Sequence, residues 1–247
     1  MVTGTAILLC FLPVPDAFGQ VNVEDQRLSR DSSGFGGSVN LTVEVERGNS
    51  DLTEIGLEPR LAYRAGPSIW FMLNSYTFVE TGDQGVVNEG FTHLRYNYAL
   101  SQTVAAEALA QFQYNREQQL KRRYLLGSGV RLRLVDRKAT TLALGFIAMY
   151  EYEKLETGEI VENARNSDYI AVRIKVTNTM SLSNTVYLQP LFGNPRDIRV
   201  LDNLQASFAL KKWLAVTVGI KYLYDSRPPD GVKEYDFSLK NGLMVRF

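Results

Sequence analysis

The stretch LAVTVGIKYLY, residues 214–224, decides the fold. Leu214, Val216, Val218, Ile220, Tyr222 and Tyr224 fall on one parity, and Ala215, Thr217, Gly219 and Lys221 on the other. A period of two is the signature of a β-strand with one apolar and one polar face. The same alternation recurs along most of the chain. Ile55, Leu57, Leu61 and Tyr63 oppose Glu54, Glu58 and Arg60. Ala106, Ala108, Ala110, Phe112 and Tyr114 oppose Glu107, Gln111, Gln113 and Asn115. Tyr124, Leu126, Val130, Leu132 and Leu134 oppose Arg123, Gly127, Gly129, Arg131 and Arg133. The segment 69–79 is apolar on both parities, so its inner face is not assigned by the pattern.

Counted from Gly34, about twelve such segments follow: 38–47, 52–65, 68–80, 88–100, 102–116, 120–135, 140–154, 168–177, 181–191, 199–210, 214–225 and 233–247. Many reach about ten residues, whereas strands of globular proteins average roughly five or six. Ten tilted residues are what a strand needs to cross the hydrocarbon layer. Short turns at 65–67, 100–102, 136–138, 178–179 and 211–213 alternate with longer connections at 81–87, 155–167, 192–198 and 226–232. Short inner turns and longer outer loops are expected of a barrel with both ends in the periplasm. The predicted fold is all-β: a transmembrane antiparallel up-and-down β-barrel of about twelve strands, spanning 34–247.

Composition agrees with this. The chain has 247 residues, with 27 basic and 27 acidic side chains. There is no net charge to attract nucleic acid. No stretch beyond the N-terminus is long and apolar enough for a membrane helix, and a barrel needs none, because only alternate residues meet lipid. Tyr114, Tyr124, Tyr150, Tyr152, Tyr222, Tyr224 and Tyr235 lie on the apolar parity near the longer connections. Tyr63, Tyr96, Tyr98, Phe208 and Phe247 lie on it near the short turns. Two aromatic girdles are what a bilayer selects, since a Tyr ring can rest at the boundary with its hydroxyl in water. Leu243, Val245 and the terminal Phe247 resemble the signal that outer-membrane barrels present to their assembly machinery. The partners expected are that machinery, through the last strand, and outer-membrane lipid.

The N-terminus reads as an export signal over 1–19. Ala6 to Val14 is its apolar core, and Ala17-Phe18-Gly19 supplies small residues for cleavage before Gln20. Residues 20–33 carry no period and read as a periplasmic lead-in. The single cysteine, Cys10, lies in the apolar core, as suits a mature chain in an oxidising compartment. The expected location is the outer membrane of a Gram-negative cell.

Short motifs also carry a family resemblance: Gly48-Asn49-Ser50-Asp51, Tyr63-Arg64-Ala65-Gly66, Arg95-Tyr96-Asn97-Tyr98 and the strand beginning at Tyr124. Together, over roughly 38–247, they resemble the YdiY-like family of salt-induced outer-membrane proteins, which carry a domain of unknown function. The resemblance implies an outer-membrane barrel and supplies no catalytic residues.

Little in the sequence points to catalysis. His93 is the only histidine. It stands on the polar parity beside Arg95, where a hydrogen-bonded wall residue is expected, and no serine stands two residues on for it to activate. One histidine and no mature cysteine argue against a zinc site. Glu80, Asp83, Asp225, Asp230 and Glu234 match no calcium loop. No enzyme activity, metal or cofactor is expected.

The polar parity is the candidate functional surface. Glu44, Glu46, Glu54 and Glu58 make the first two segments acidic, and Glu107 belongs to the fifth. Arg131 and Arg133 make the sixth basic, Glu151 and Glu153 the seventh acidic, and Arg173 and Lys175 the eighth basic; Lys221 belongs to the eleventh. These residues, with His93 and Arg95, are the lumen and selectivity candidates. Summed over the wall, the two signs come close to balance. Two readings stay open: a filled lumen laced with ion pairs, or a narrow channel for ions or small polar solutes with charged walls facing each other. A third exchanges the faces: a soluble or peripheral barrel with an apolar ligand inside.

Overall fold

The computed structural model describes residues 33–46, 52–81, 86–116, 118–229 and 232–247. The expected signal, nearly all of the lead-in, the Gly48–Asp51 motif and the connection at 82–85 lie outside the described residues. So do the side chains of Glu44 and Glu46.

Strand segments follow one another in chain order: β1 (Gly34–Glu46), β2 (Leu52–Ala65), β3 (Ser68–Thr81), β4 (Val86–Ala99), β5 (Val104–Asn115), β6 (Leu120–Asp136), β7 (Thr140–Leu155), β8 (Ile160–Asn166), β9 (Asp168–Lys175), β10 (Met180–Leu191), β11 (Asn194–Ala209), β12 (Leu214–Asp225) and β13 (Tyr235–Arg246). All pairings are antiparallel, and β13 pairs back onto β1, so the sheet closes. No helix occurs among the described residues.

β8 and β9 share one position in the wall. Lys154 faces Ile160 and Thr140 faces Ile174 in a single unbroken register along β7. On the other side, Leu191 faces Arg165 and Leu188 faces Asp168, again without a shift. Ser167 sits between the two and still donates its N–H to the Ile147 carbonyl at 2.7 Å. The wall therefore has twelve positions, and the sheet is a closed twelve-stranded up-and-down barrel.

The alternating pattern determines which face points where. Leu126 is 60% exposed, while Leu201 on the opposite parity is 2% exposed. The apolar parity thus forms the outer surface, which sets aside the reading with an apolar ligand cavity. Segment 69–79, left unassigned by the pattern, puts Ile69, Phe71 and Leu73 inside and Trp70, Met72 and Phe78 outside. Both aromatic girdles form. At the end holding Gly34 and Phe247 (the near end), Trp70 packs on Tyr96 with ring centroids 4.3 Å apart, and Phe35 on Tyr63 at 4.4 Å. At the far end, Phe112, Tyr124 and Tyr152 form a row with centroids 5.3 and 6.1 Å apart.

Closure of the barrel uses the last residue. Phe247 exchanges backbone hydrogen bonds with Gly37 at 2.9 and 3.0 Å. Its ring covers Gly37, where an added Cβ would stand 2.8 Å from the Phe247 Cζ. A glycine is required there so that the terminal ring can lie against the first strand.

Two connections are shorter than the sequence suggested. The stretch 155–167 was expected as an acidic outer loop, but β7 and β8 are joined at 156–159 and the rest is strand. The expected loop 192–198 reduces to Phe192-Gly193, with Gly193 at φ 81°, where a side chain would be strained. The physical reason is strand length. β6, β7 and β11 have 17, 16 and 16 residues, more than the roughly ten needed to cross the membrane. Beyond the apolar band an outward residue need not be apolar, so the alternation ends before the strand does. Glu162 is such a residue, and it accepts a 2.8 Å hydrogen bond from Tyr150.

Candidate functional site

Inward side chains from neighbouring strands meet at the far end in one ionic cluster. Register places Arg123 opposite Glu153 and Arg199 opposite Asp225. Glu151, on the same face as Glu153, is 1% exposed. Three arginines converge on it: Arg165 Nε lies 3.2 Å from Oε2, and Arg199 Nη1 and Arg123 Nε lie 2.5 and 3.3 Å from Oε1. Arg123 also pairs with Glu153. Arg165 reaches Asp197 at 2.8 Å, and Arg199 reaches Asp225 at 2.6 Å. Buried charge is tolerated only when paired and hydrogen-bonded. The guanidinium fork allows one arginine to serve two carboxylates at once. The cluster holds three arginines and four carboxylates, so it carries an acidic excess.

Below it, the arc from β5 to β11 is filled. Leu109, Leu125, Ile147, Met149, Tyr169, Ala171, Tyr187 and Leu201 form a buried cluster across these strands. Glycine makes room for it: Tyr169 lies over Gly145, where an added Cβ would meet the ring at 1.9 Å. Polar groups edge the cluster. Tyr169 donates to Glu107 at 2.5 Å and accepts from Arg131 at 3.0 Å. Arg95 and Arg131 stand 5.4 and 5.7 Å from the Tyr169 ring centre, within cation–π range. His93 is buried and inward, with Nδ1 2.8 Å from the Gln111 side-chain oxygen. Gln111 in turn donates to Gln113 at 2.8 Å. The histidine is a link in an amide chain along β4 and β5.

The opposite arc, from β12 through β13 and β1 to β3, is hollow. A chamber of about 910 Å³ of non-atom space, part of it open to solvent, lies there. Its polar lining includes Asn40, Thr42, Ser75, Gln205, Thr217 and Ser238. Its charged groups are held: Arg60 by Glu58 at 2.8 Å, and Lys240 by Glu54 at 3.1 Å. Lys221 completes the basic side. A vestibule of about 1600 Å³, also counting open solvent, surrounds the ionic cluster. The two spaces have neighbouring linings along β12 and β13. Leu223 and Asp236 border the vestibule, and Lys221 and Ser238, two residues on, border the chamber. At the near end Arg246 donates to Ser207 at 2.8 Å, next to buried Met244 and Ala215.

The structure thus distributes the predicted candidates unevenly. Glu151 and Glu153 sit in the ionic cluster. His93, Arg95, Glu107 and Arg131 belong to the filled arc, and Lys221 to the hollow one. Arg133 lies at the near rim, bonded to Asp136 at 3.1 Å and to the Gln102 carbonyl. Arg173 is half-buried near that rim. Lys175 is exposed at the turn and does not line the lumen, because its strand ends there. Arg131 and Arg133 of the basic sixth segment do not meet Glu151 and Glu153 of the acidic seventh: register sets Arg131 opposite Gly145, three inward positions from Glu151. Arg165 and Asp197, which help complete the cluster, were hidden in segments read as loops, and Arg199 stood at the first residue of a predicted strand.

A closed antiparallel barrel with an apolar outer band, two girdles and a polar lumen is the architecture of outer-membrane β-barrel proteins. The chain belongs to the family described as "Protein of unknown function, DUF481", whose model matches residues 39–247. This agrees with the family resemblance carried by the short motifs. No curated protein matches the sequence. Among solved structures the chain is similar to an outer membrane channel from Pseudomonas putida F1, with a TM-score of 0.56 and 12% identity, covering 92% of this chain and 100% of that one. It is also similar to the KdgM porin in complex with disordered oligogalacturonate, with a TM-score of 0.51, 10% identity, and 85% and 99% coverage. The NanC porin gives a TM-score of 0.51, 10% identity, and 86% and 98% coverage. At these identities the likeness is one of fold.

Proposed function

We propose that this protein is a narrow outer-membrane channel for ions or small polar solutes. The observation that carries the reading is the hollow arc: a polar chamber running alongside a filled core, with its lining next to that of the charged vestibule along β12 and β13. A barrel of about twelve strands lies between filled eight-stranded barrels and open sixteen-stranded porins, so a partly filled lumen suits its size. In this reading the near end, with both barrel termini, faces the periplasm, and outer-membrane lipid surrounds the girdles. β13, ending on Phe247, is the strand the assembly machinery engages. The chamber's mix of amides, hydroxyls and paired charges suits hydrated ions and small polar solutes better than apolar ones. The burial of His93 in an amide chain supports a non-enzymatic role.

The test is conductance of the purified barrel in planar bilayers. Stable open currents, well below those of sixteen-stranded porins, are expected. A reconstituted, heat-modifiable barrel that carries no current at any voltage would overturn the reading.

A further inference from the structure

Charge along the lumen is sorted by height. At the far end, the ionic cluster carries four carboxylates against three arginines. Glu54, Glu89 and Asp236 stand on inward parity within a few residues of the same ends of β2, β4 and β13. At the near end the inward charges are almost all basic. Arg64, Arg95, Arg131, Arg173 and Arg246 stand within about six residues of the short turns, with Glu107 as the acid at that level. Arg133 is there too, held at the rim by Asp136. Lys221 and Lys240 lie between the two zones, where the linings of vestibule and chamber are neighbours.

We infer that the lumen is a bipolar conduit, acidic at its far mouth and basic at its near exit, and that it rectifies ionic current. The inference rests on the channel reading above. Fixed charge behind low-dielectric walls concentrates mobile ions of opposite sign. Cations therefore gather in the far zone and anions in the near zone. When the far side is positive, cations are driven inward through the acidic mouth and anions inward through the basic exit. Both accumulate at the junction near Lys221 and Lys240, and conductance rises. With the opposite polarity both are drawn away from the junction, and conductance falls. The zones stay distinct only while the screening length is comparable with their size. That length is about 10 Å at 0.1 M salt and about 3 Å at 1 M.

The decisive experiment is a current–voltage curve of the reconstituted full chain in KCl. Insertion direction is fixed by one-sided labelling of a far-end tag. At about 0.1 M the current is expected to be about twofold or more higher with the far side positive, and the ratio should approach one at about 1 M. The triple substitution Arg64→Gln, Arg173→Gln and Arg246→Gln should keep an open current and lose the asymmetry. Heat-modifiable migration checks that the variant is folded. If it does not fold, the salt dependence of the parent decides alone. An open channel with a linear curve at low salt, or one with the opposite polarity, overturns the inference and leaves the channel reading standing. A folded barrel with no current overturns both.

Discussion

The arc from β5 to β11 and the arc from β12 to β3 enclose the same lumen and use it differently. On the first, inward positions are large: Leu109, Leu125, Ile147, Met149, Tyr169, Tyr187 and Leu201 meet and exclude water. On the second, the positions around the chamber are mostly small or polar (Asn40, Gly56, Ser75, Thr217, Gly219, Ser238 and Gly242), and the large residues Ile69, Phe71 and Leu73 form a smaller buried cluster on β3. The outer faces of both arcs are mostly apolar, as lipid requires. The inner faces are free to differ, and there a filled arc stands beside a hollow one. A barrel of this circumference would be wholly filled if every wall resembled β7, and wide open if every wall resembled β12.

Substitutions that break the contrast should differ in size. The largest effect is expected at Glu151. Glu151→Ala removes the carboxylate on which Arg123, Arg165 and Arg199 converge; each keeps a second partner, but the buried network loses three charged contacts at once, a cost of about 3–5 kcal/mol. An unfolding midpoint in detergent, read by heat-modifiable migration, should fall accordingly. Leu201→Ala opens a cavity in the filled arc and should cost about 2–5 kcal/mol by the same measurement. Gly145→Val drives a side chain into the Tyr169 ring and should cost about 1–3 kcal/mol, with a shift in tyrosine near-ultraviolet circular dichroism. Gly219→Ala is the control on the hollow arc. Its added Cβ meets nothing nearer than the Lys240 carbonyl at 4.0 Å, so stability should stay within about 0.5 kcal/mol of the parent.

Most of the wall was legible in the sequence because lipid imposes one rule on every strand. Leu214 to Tyr224, read as alternating, forms β12, and 52–65 is β2 to the residue. The rule fails where lipid ends. Glu162, Asn166 and Asp168 face outward on β8 and β9, and their polarity made a strand look like a loop. That error also concealed Arg165, and the misread connection 192–198 concealed Asp197, two members of the ionic cluster. A weaker signal was available: Arg165, Ser167, Tyr169 and Ala171 keep the inward parity across the supposed loop end. The lumen was harder to read than the wall. Parity gives direction but not height, so the charges were grouped by strand, and their separation along the axis becomes visible only with register. The filled arc was hidden for a related reason: apolar inward residues such as Leu109, Leu125 and Ile147 break the alternation they belong to.

The central claim of the proposed channel is that passage runs along β12 and β13 and not through the filled arc. Gly219 faces the chamber with open space before it. The most direct measurement is the single-channel conductance of Gly219→Trp beside the parent, with heat-modifiable migration as the check on folding. The account expects a folded barrel whose current falls to a small fraction of the parent's. A folded Gly219→Trp barrel with undiminished conductance would contradict it.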